Sequence, residues 1–514
     1  MLRNTHYALR NMQYVSHTMS TLSQPTTKNT LLARWRQQIW PPQKLWQNKT
    51  IRQWVVIVAT ILLSAVIAYR GIWLLAALLV AVVPAIVGVN RVARTPALGL
   101  IVMGPAAMLV PFSIGTGSES SLNAPMLIVL GLTGIWVLDM LTREKRIRLH
   151  ACRTFLPLYV MVVMALVAFV NGQLPWFAAP HAPITAQIGG TAVFIISVCA
   201  YLLAAHHFTS VRLVEWFTWT FLIFAAAFII IRFIPRLSFT LASYYQIGST
   251  ASPFWYWLVA IACGQMLFND KLHWRWRGLL GLLLAVTMYV AMSQTFDWAS
   301  GWVPSVVTIA AILLLRWPRL AFLGGLAALP LLPFALDEIL TVQEYSYSTR
   351  VEAWVIMLEI IRENPILGVG PANYYFITPL FPIRGYYVEF NSHSQYFDIV
   401  AQIGIIGLLA YLWFLFQLGK LGLKLLPKVP AGFPRAFIYS ALGGLAGTIA
   451  SGALGDWILP FVYNVGFIGM RASLIGWVFL GIIPAFAYAI DWEKEREREA
   501  GSVRRETENV MRSA

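Results

Sequence analysis

The sequence predicts an all-α fold: a polytopic membrane helix bundle of about 14 transmembrane helices, or about 12 without the shortest candidates, with a large structured extracytoplasmic loop. The first reason is composition. The 514 residues are 58% hydrophobic and only 12% charged, with a mean hydropathy of +0.67, so a soluble protein of this length would lack surface charge. The second reason is that apolar runs of membrane-spanning length recur along almost the whole chain. The third is the alternation of basic and neutral loops between those runs.

Residues 1–52 form a basic segment that is predicted to lie in the cytoplasm. The segment contains no Asp or Glu, and the first acidic residue of the chain is Glu119. Its stretch "LLARWRQQIWPPQKLW" mixes Arg and Lys with Leu and Trp, a composition that anionic lipid head groups attract. A disordered basic tail is an equally good interpretation of the same residues.

The transmembrane helices are predicted in two blocks, residues 53–335 and residues 395–490. A mixed-charge tail, residues 491–514, follows the second block. At about 20 residues per crossing, the candidate spans are 53–69, 71–89, 96–113, 124–141, 155–171, 187–205, 213–235, 253–269, 278–292, 303–317, 319–335, 395–418, 434–453 and 470–490.

The loops between these spans predict their orientation. Inner loops such as "TREKRIRLHACR" and "KLGLKLLPK" are basic, whereas outer loops such as "GTGSESSLN" and "SQTFDWASG" are neutral or acidic. All nine lysines fall on the inner side. The net charge of +16 is therefore a signal of orientation and not of nucleic-acid binding. We expect a multi-pass protein of the plasma membrane with both termini in the cytoplasm.

One outer segment, residues 336–394, is much longer than the other loops, and structured loops of this length usually carry function. Ser348 or Thr349 is predicted to cap a helix that starts near Val351, with Glu352 completing a capping box. Trp354, Leu358 and Ile361 would share the apolar face of that helix, which is predicted to lie on the membrane surface.

Positive charge on the outer side runs against the orientation rule and needs another explanation. A guanidinium group suits phosphate because its planar fork binds two oxygens at once. Arg232 and Arg236, at the outer end of a span, would either grip a lipid-linked phosphate or simply extend to the interface. The outer basic residues are all arginines: Arg70, Arg232, Arg236, Arg350, Arg362, Arg384 and Arg471.

Two histidines, His181 and His393, are predicted on the outer side. His181 lies between prolines in "AAPHAPIT" and has the character of an incidental loop residue. His393 lies where the long loop returns to the membrane, in "NSHSQYFDIV". Imidazole suits general-base chemistry near neutral pH, so His393 is either a catalytic base or a polar cap exposed to water.

The long loop and the helix after it carry a family likeness. The stretches "STRVEAWVIMLEIIRENPILGVGPANYYF" and "NSHSQYFDIVAQIGIIGLLAYL" resemble the shared region of O-antigen ligases and O-antigen polymerases. The positions that match are Arg350, Pro365, Gly368, Gly370, His393, Gly404 and Gly407. Two positions depart from the family pattern: Ser394 stands where Asn often follows the His, and Gln402 where an acid often precedes the glycine pair.

The resemblance implies a membrane glycosyltransferase that takes a glycan from an undecaprenyl diphosphate carrier on the outer face of the plasma membrane. The acceptor would be a lipid, a polymer or a protein, and neither a nucleotide sugar, an obligatory metal nor another cofactor is expected. His393 would be the catalytic base and Arg350 a diphosphate ligand, with Arg232 and Arg236 as further candidates. Attack opposite the leaving diphosphate would invert the anomeric carbon.

Other residues and other functions stay open at this stage. Asp398, Asp456 and Tyr374 are candidate supporting residues, and the loop tyrosines would stack on sugars or seat the loop in the interface. No carboxylate cluster for a cation occurs on the outer side, and Cys152, Cys199 and Cys263 show no metal or disulfide spacing. The alternatives are a polymerase of lipid-linked repeat units and, less consistent with the scarcity of mid-membrane charges, a flippase of lipid-linked glycans.

Overall fold

A computed structural model of the chain describes residues 95–115, 121–147, 149–246, 251–294, 298–328, 330 and 344–513. The basic segment 1–52 and the candidate spans 53–69 and 71–89, with Arg70 between them, lie outside the described residues.

The described part of the chain contains 15 α-helices. Every candidate span after residue 95 coincides or overlaps with one of them. In chain order they are α1 (Pro96–Leu109), α2 (Ala124–Asp139), α3 (Phe155–Asn171), α4 (Ile184–His207), α5 (Val211–Phe233), α6 (Pro235–Leu241), α7 (Ser252–Phe268), α8 (Trp274–Gln294), α9 (Ala299–Arg316), α10 (Pro318–Ala328), α11 (Glu344–Glu363), α12 (Tyr374–Ile377), α13 (Gln395–Leu425), α14 (Phe433–Leu454) and α15 (Gly466–Ser513).

Eight of the described helices are long and apolar enough to cross a membrane. They are α2 with the π-helical turn that follows it, α4, α5, α8, α9, α13, α14 and the first part of α15. Three further apolar helices, α1, α3 and α7, have 14 to 17 residues. The prediction of an all-α, multi-pass membrane protein is thus confirmed, whereas the count of about 14 crossings is not established by the described residues.

Within the described segments, the paired β-strands form one small hairpin. Strand β1 (Ser113–Gly115) pairs antiparallel with β2 (Ser121–Asn123) between α1 and α2. The side chain of Asn123 then caps α2 by accepting a hydrogen bond from the Met126 amide at 3.3 Å. The hairpin replaces part of the outer loop that the sequence predicts between these two spans.

Helix α7 is the centre of the bundle. Its residues from Ser252 to Gln265 are all buried, as expected of a helix that is apolar on every side and surrounded by others. Close packing of α14 on α7 depends on small residues, because a Cβ at Gly444 would lie 2.4 Å from the Trp257 ring. This core holds α14 in a fixed position, and the C-terminal end of α14 borders the site described next.

Candidate functional site

The break in α13 explains the glycines of the motif. Gly404 has φ 75° and ψ 178°, so the 31-residue element is two helices joined at this residue. The Ile405 amide donates to Pro365 O at 2.8 Å, and the Val369 amide donates to Ala401 O at 2.8 Å. A Cβ at Gly404 would lie 1.9 Å from Ile366 O. The turn after Pro365 therefore packs main chain against main chain into the break, which only glycine permits.

Helix α11 begins earlier than the sequence predicts. It runs from Glu344, so Ser348 and Thr349 are inside the helix and the predicted start near Val351 is wrong. Their hydroxyl groups accept hydrogen bonds from the Arg384 guanidinium. Glu352 accepts from the Arg384 amide at 3.0 Å instead of forming a capping box. A loop arginine, not a local cap, thus organises this part of α11.

The buried face of α11 differs in part from the predicted one: Ile361 is buried as predicted, and Leu358 is not. Leu358 is 55% exposed, whereas Met357 and Ile360 are fully buried. The buried residues follow helical spacing and pack on a second hydrophobic cluster that includes Val400 and Phe461. Tertiary packing determines which face of α11 is buried. Ala353 and Met357 fit closely against α13 and against the turn after Pro365, which is called the motif turn below.

A tryptophan fixes α11 to the turn that carries the histidine. The Trp354 indole Nε1 donates to Ser392 O at 2.9 Å, and its ring stacks on Phe397 at a centroid separation of 5.5 Å. Arg350 lies one turn earlier on the same side of α11, since residues four apart are neighbours on a helix surface. The same helix therefore carries an arginine and anchors the segment next to His393.

His393 adopts a strained main-chain conformation at the surface. Its φ is 48°, in the left-handed region that non-glycine residues rarely occupy. Its amide donates to Asn391 Oδ1 at 3.0 Å, which helps to hold the turn. The side chain is exposed to solvent, although neighbouring protein atoms displace part of its water. That desolvation and the positive charge of Arg350 lower the pKa of His393 below its usual range.

Arg350 is half-buried beside the end of α14. Its Nη1 donates to Leu454 O, the last carbonyl of α14, at 3.5 Å. The exposed carbonyls of a helix C-terminus carry partial negative charge and favour a cation there. Because Arg350 is one turn from Trp354, which bonds to Ser392 O next to His393, the structure brings these two predicted site residues to the same region.

A buried carboxylate, that of Asp398, holds the turn that contains His393. Asp398 has no exposed surface, and its Oδ1 accepts from the Tyr374 hydroxyl at 2.6 Å and from Ser392 Oγ at 2.7 Å. Ser392 Oγ accepts in turn from the Ser394 amide at 3.0 Å. Asp398 is thus connected through Ser392 Oγ to the residues on both sides of His393. This connection does not involve the imidazole. Burial and the neighbouring carboxylate raise the pKa of Tyr374 well above its usual range, so Tyr374 stays a donor.

The same contacts change the interpretation of the loop tyrosines. The Tyr374 ring is fully buried and stacks on Phe461 at 4.5 Å, so it cannot stack on a sugar in this arrangement. Tyr375 stacks on Tyr463 at 4.7 Å. In contrast, Tyr386 and Tyr387 are 70% and 69% exposed and present their rings to the outside. A stacking role therefore falls to the second tyrosine pair alone.

Asp456 organises the loop between α14 and α15. Its Oδ2 accepts from the Phe461 amide at 2.8 Å, and its Oδ1 accepts from the Asn464 side chain. It is buried, and burial raises the pKa of Asp456 to about 6, against the effect of these hydrogen bonds. This geometry is that of a turn-forming aspartate, and it places Asp456 near Tyr374, whose pKa its charge also raises.

Arg232 and Arg236 lie in a different part of the structure. They stand at the end of α5 and the start of α6, where Gln294 at the end of α8 donates to Arg232 O at 3.0 Å. Within the described residues, no hydrogen bond or ring contact joins either arginine to Arg350 or His393. The structure thus brings together two of the four predicted residues for base and diphosphate chemistry.

Sequence reasoning missed how Trp354 and Ser392 connect the site. A Trp in a helix and a Ser before a His carry no spacing signal of their own, because their partners are distant in the chain. It also missed Asn171 and Asn373, whose amide groups donate to Gly368 O and Gly172 O at 2.8 Å each. The Asn-Gly pair at the end of α3 was a detectable turn signal.

The two departures from the family pattern have structural roles here. Ser394 O accepts from the Asp398 amide at 3.0 Å at the start of α13. Gln402 donates to Asp398 O at 3.2 Å and accepts from the Ala372 amide at 3.3 Å. A neutral amide can make both contacts, whereas a carboxylate could only accept. Gln402 therefore links α13 to the motif turn.

The geometry of the site and the similarity of the chain to known proteins bear on the same residues. Among the described residues, no group of three or more His, Cys, Asp or Glu is arranged to hold a metal ion. No curated protein matches the chain significantly in sequence. A family model described as O-antigen ligase matches residues 257–412, less than a third of the chain, and this segment includes Arg350, His393 and Asp398. The match confirms, over this segment, the resemblance to O-antigen ligases that the motif predicts.

Proposed function

We propose that the protein transfers a glycan from an undecaprenyl diphosphate carrier to an acceptor hydroxyl on the outer face of the plasma membrane. In this proposal His393 is the general base and Arg350 binds the donor diphosphate. The observation that carries it is the Trp354–Ser392 hydrogen bond, which joins the helix that carries Arg350 to the turn that carries His393, inside the segment that matches the O-antigen ligase family model.

The chemistry requires a neutral base next to a cation, and the site supports both. Desolvation and the Arg350 charge keep His393 neutral at neutral pH, so its imidazole can accept a proton. The acceptor oxygen forms a bond to the anomeric carbon as its proton passes to His393. The bond from that carbon to the diphosphate oxygen breaks, and undecaprenyl diphosphate leaves with the electron pair. Arg350 stabilises the charge that develops on the leaving group.

The position of the pair fits the two substrates. The polyprenyl chain keeps the donor diphosphate at head-group depth, whereas the acceptor arrives from water. His393 is exposed immediately before α13, and Arg350 is half-buried beside it. Direct attack from the water side would invert the anomeric carbon, and this mechanism requires neither a nucleotide sugar nor a divalent cation.

Replacement of His393 tests the proposal. His393→Gln keeps a polar side chain of similar size but has no basic nitrogen, so transfer by the purified protein should fall about 10²- to 10⁴-fold. His181→Gln is the matched control, because His181 is also an exposed histidine and, among the described residues, no hydrogen bond joins it to His393 or Arg350. Transfer is followed with a radiolabelled glycan on the polyprenyl carrier. Near-normal transfer by a well-folded His393→Gln protein would contradict the proposal and return His393 to a structural cap.

The product of the same assay separates the related alternatives. Extension of one carrier-linked glycan by another would indicate a polymerase, whereas appearance of label on a lipid, polymer or protein acceptor indicates a ligase. A flippase would form no new glycosidic bond in detergent. The exposed Tyr386 and Tyr387 rings are the described candidates for contact with the acceptor sugar.

A further inference from the structure

A groove runs along the seam between α13 and α14, away from the site described above. It has a volume of about 680 Å³. Seven of its nine lining residues are glycine or apolar, and the other two are lysines. The apolar wall includes Leu412, Phe416 and Leu423 from α13 and Leu445 and Ile449 from α14.

Gly419 lines the groove at a point where α13 and α14 pack less tightly. One turn further, the helices are in contact, since a Cβ at Gly422 would lie 2.7 Å from the Leu442 side chain. At Gly419 the nearest atom to such a Cβ is Leu445 Cδ2 at 3.4 Å. The two helices are therefore less tightly packed at Gly419 than at Gly422, and Phe416 and Leu423, which also line the groove, are 65% and 50% exposed.

Two cations close one end of this groove. Lys420 and Lys424 are exposed, line the groove and are four residues apart, which puts both on one face of α13. The Lys420 ammonium lies 5.9 Å from the Phe416 ring centroid. Lys420 lies 16 residues beyond the break at Gly404, roughly 24 Å along the second part of α13. In the orientation that the loops predict, both lysines face the inner lipid head groups, at the end of α13 away from His393.

We propose that this groove binds one anionic phospholipid, with its acyl chains against the apolar wall and its phosphate on Lys420 and Lys424. The charge selects the occupant. A zwitterionic lipid brings its own ammonium group, which cancels much of the attraction to two lysines. Arg350, the proposed ligand of the donor diphosphate, does not line the groove, so a polyprenyl diphosphate held there would not use the lysines. The proposal rests on the groove and not on the proposed transferase activity.

Lipid binding measured by native mass spectrometry tests this inference. Delipidated full-length protein is titrated with phosphatidylglycerol and, separately, with phosphatidylcholine. Each lysine near a membrane surface is worth about 1 kcal/mol toward an anionic lipid, so the Lys420→Gln/Lys424→Gln double variant should bind phosphatidylglycerol about 30-fold more weakly. Its phosphatidylcholine binding should not change. Gly419→Leu, which fills the groove, should weaken the binding of both lipids.

Lys428→Gln is the matched control, because Lys428 is exposed just beyond α13 and does not line the groove. Equal phosphatidylglycerol affinity in the double variant and this control would overturn the proposal. A polyprenyl phosphate that displaces phosphatidylglycerol and binds equally well to wild type and the double variant would also overturn it and assign the groove to the donor chain. Neither lysine change alters a buried contact, so the comparison holds even if Gly419→Leu fails to fold.

Discussion

Arg471 and Arg350 both stand on the predicted outer side, where positive charge is disfavoured, and their surroundings differ. Arg471, near the start of α15, is only 4% exposed and donates to the carbonyls of Ala107, Val110 and Phe112 at the end of α1. Arg350 is half-buried, and its one hydrogen bond among the described residues is the 3.5 Å contact to Leu454 O.

The difference shows how an unexpected charge should be interpreted. Arg471 stabilises the fold, because its guanidinium completes a helix C-terminus whose carbonyls would otherwise be unpaired. Among the described residues, most donors of Arg350 have no protein acceptor, and its helix is joined to the turn of His393 through Trp354. A positive charge on the predicted outer side therefore does not identify a ligand site by itself. The number of protein acceptors around the guanidinium distinguishes Arg471 from Arg350.

The largest effect on transfer is expected from replacement of Arg350. Arg350→Lys keeps the charge but loses the planar fork, so transfer should fall about 10²- to 10³-fold, as for loss of one preorganised donor at a developing negative charge. The measurement is kcat/KM for glycan transfer by purified protein, with the melting temperature unchanged. Arg362→Lys is the control, because Arg362 is an exposed arginine of α11 that pairs with Glu359. Full activity in Arg350→Lys would remove the assigned role.

Arg471 should show the opposite pattern. Arg471→Met leaves carbonyls at the end of α1 without their donor and should lower the free energy of unfolding by about 1–3 kcal/mol. Thermal melting in detergent measures this loss, and transfer per folded molecule should remain close to that of wild type. A variant that melts normally but has lost transfer would place Arg471 in the same class as Arg350.

The pH dependence of kcat/KM tests whether the charge of Arg350 acts on His393. Because the pKa of His393 is lowered, the base form persists below the ordinary value of 6.5, and kcat/KM should begin to fall only at lower pH. Arg350→Gln removes the positive charge, so the acidic limb of its residual activity should move to higher pH. Arg362→Gln should leave the limb in place. An identical profile for both variants would mean that Arg350 does not act on His393.

The smallest effect is expected from Arg232 and Arg236. They remain candidates for a second diphosphate contact, although the structure does not join them to the Arg350–His393 pair. The Arg232→Gln/Arg236→Gln double variant should lose less activity than Arg350→Lys, and mainly through a higher KM for the carrier-linked donor, because an interfacial contact is screened by water. A loss as large as that of Arg350→Lys would show that the donor bridges the two regions.

The sequence was sufficient for the helices because apolar runs in a membrane have one structural solution. The α3 span was predicted with the bounds that it has in the structure, Phe155–Asn171. The motif also predicted roles for Arg350 and His393, and those roles stay predictions. It could not predict that Asp398 supports Ser392 rather than His393, because a helical spacing argument assumes a regular turn, whereas the segment before α13 is irregular. The start of α11 was missed because its partner, Arg384, lies far along the chain.

The positive φ of His393 implies a conflict between durability and activity. A β-carbon in the left-handed region costs free energy, of order 1–3 kcal/mol where the surroundings enforce it, and glycine or asparagine would adopt the same turn more easily. Selection for stability alone would therefore favour replacement of this histidine. If His393 is the base that we propose, the turn is a place where the protein is less stable than its fold allows, and variants chosen for heat resistance would tend to lose transfer there first.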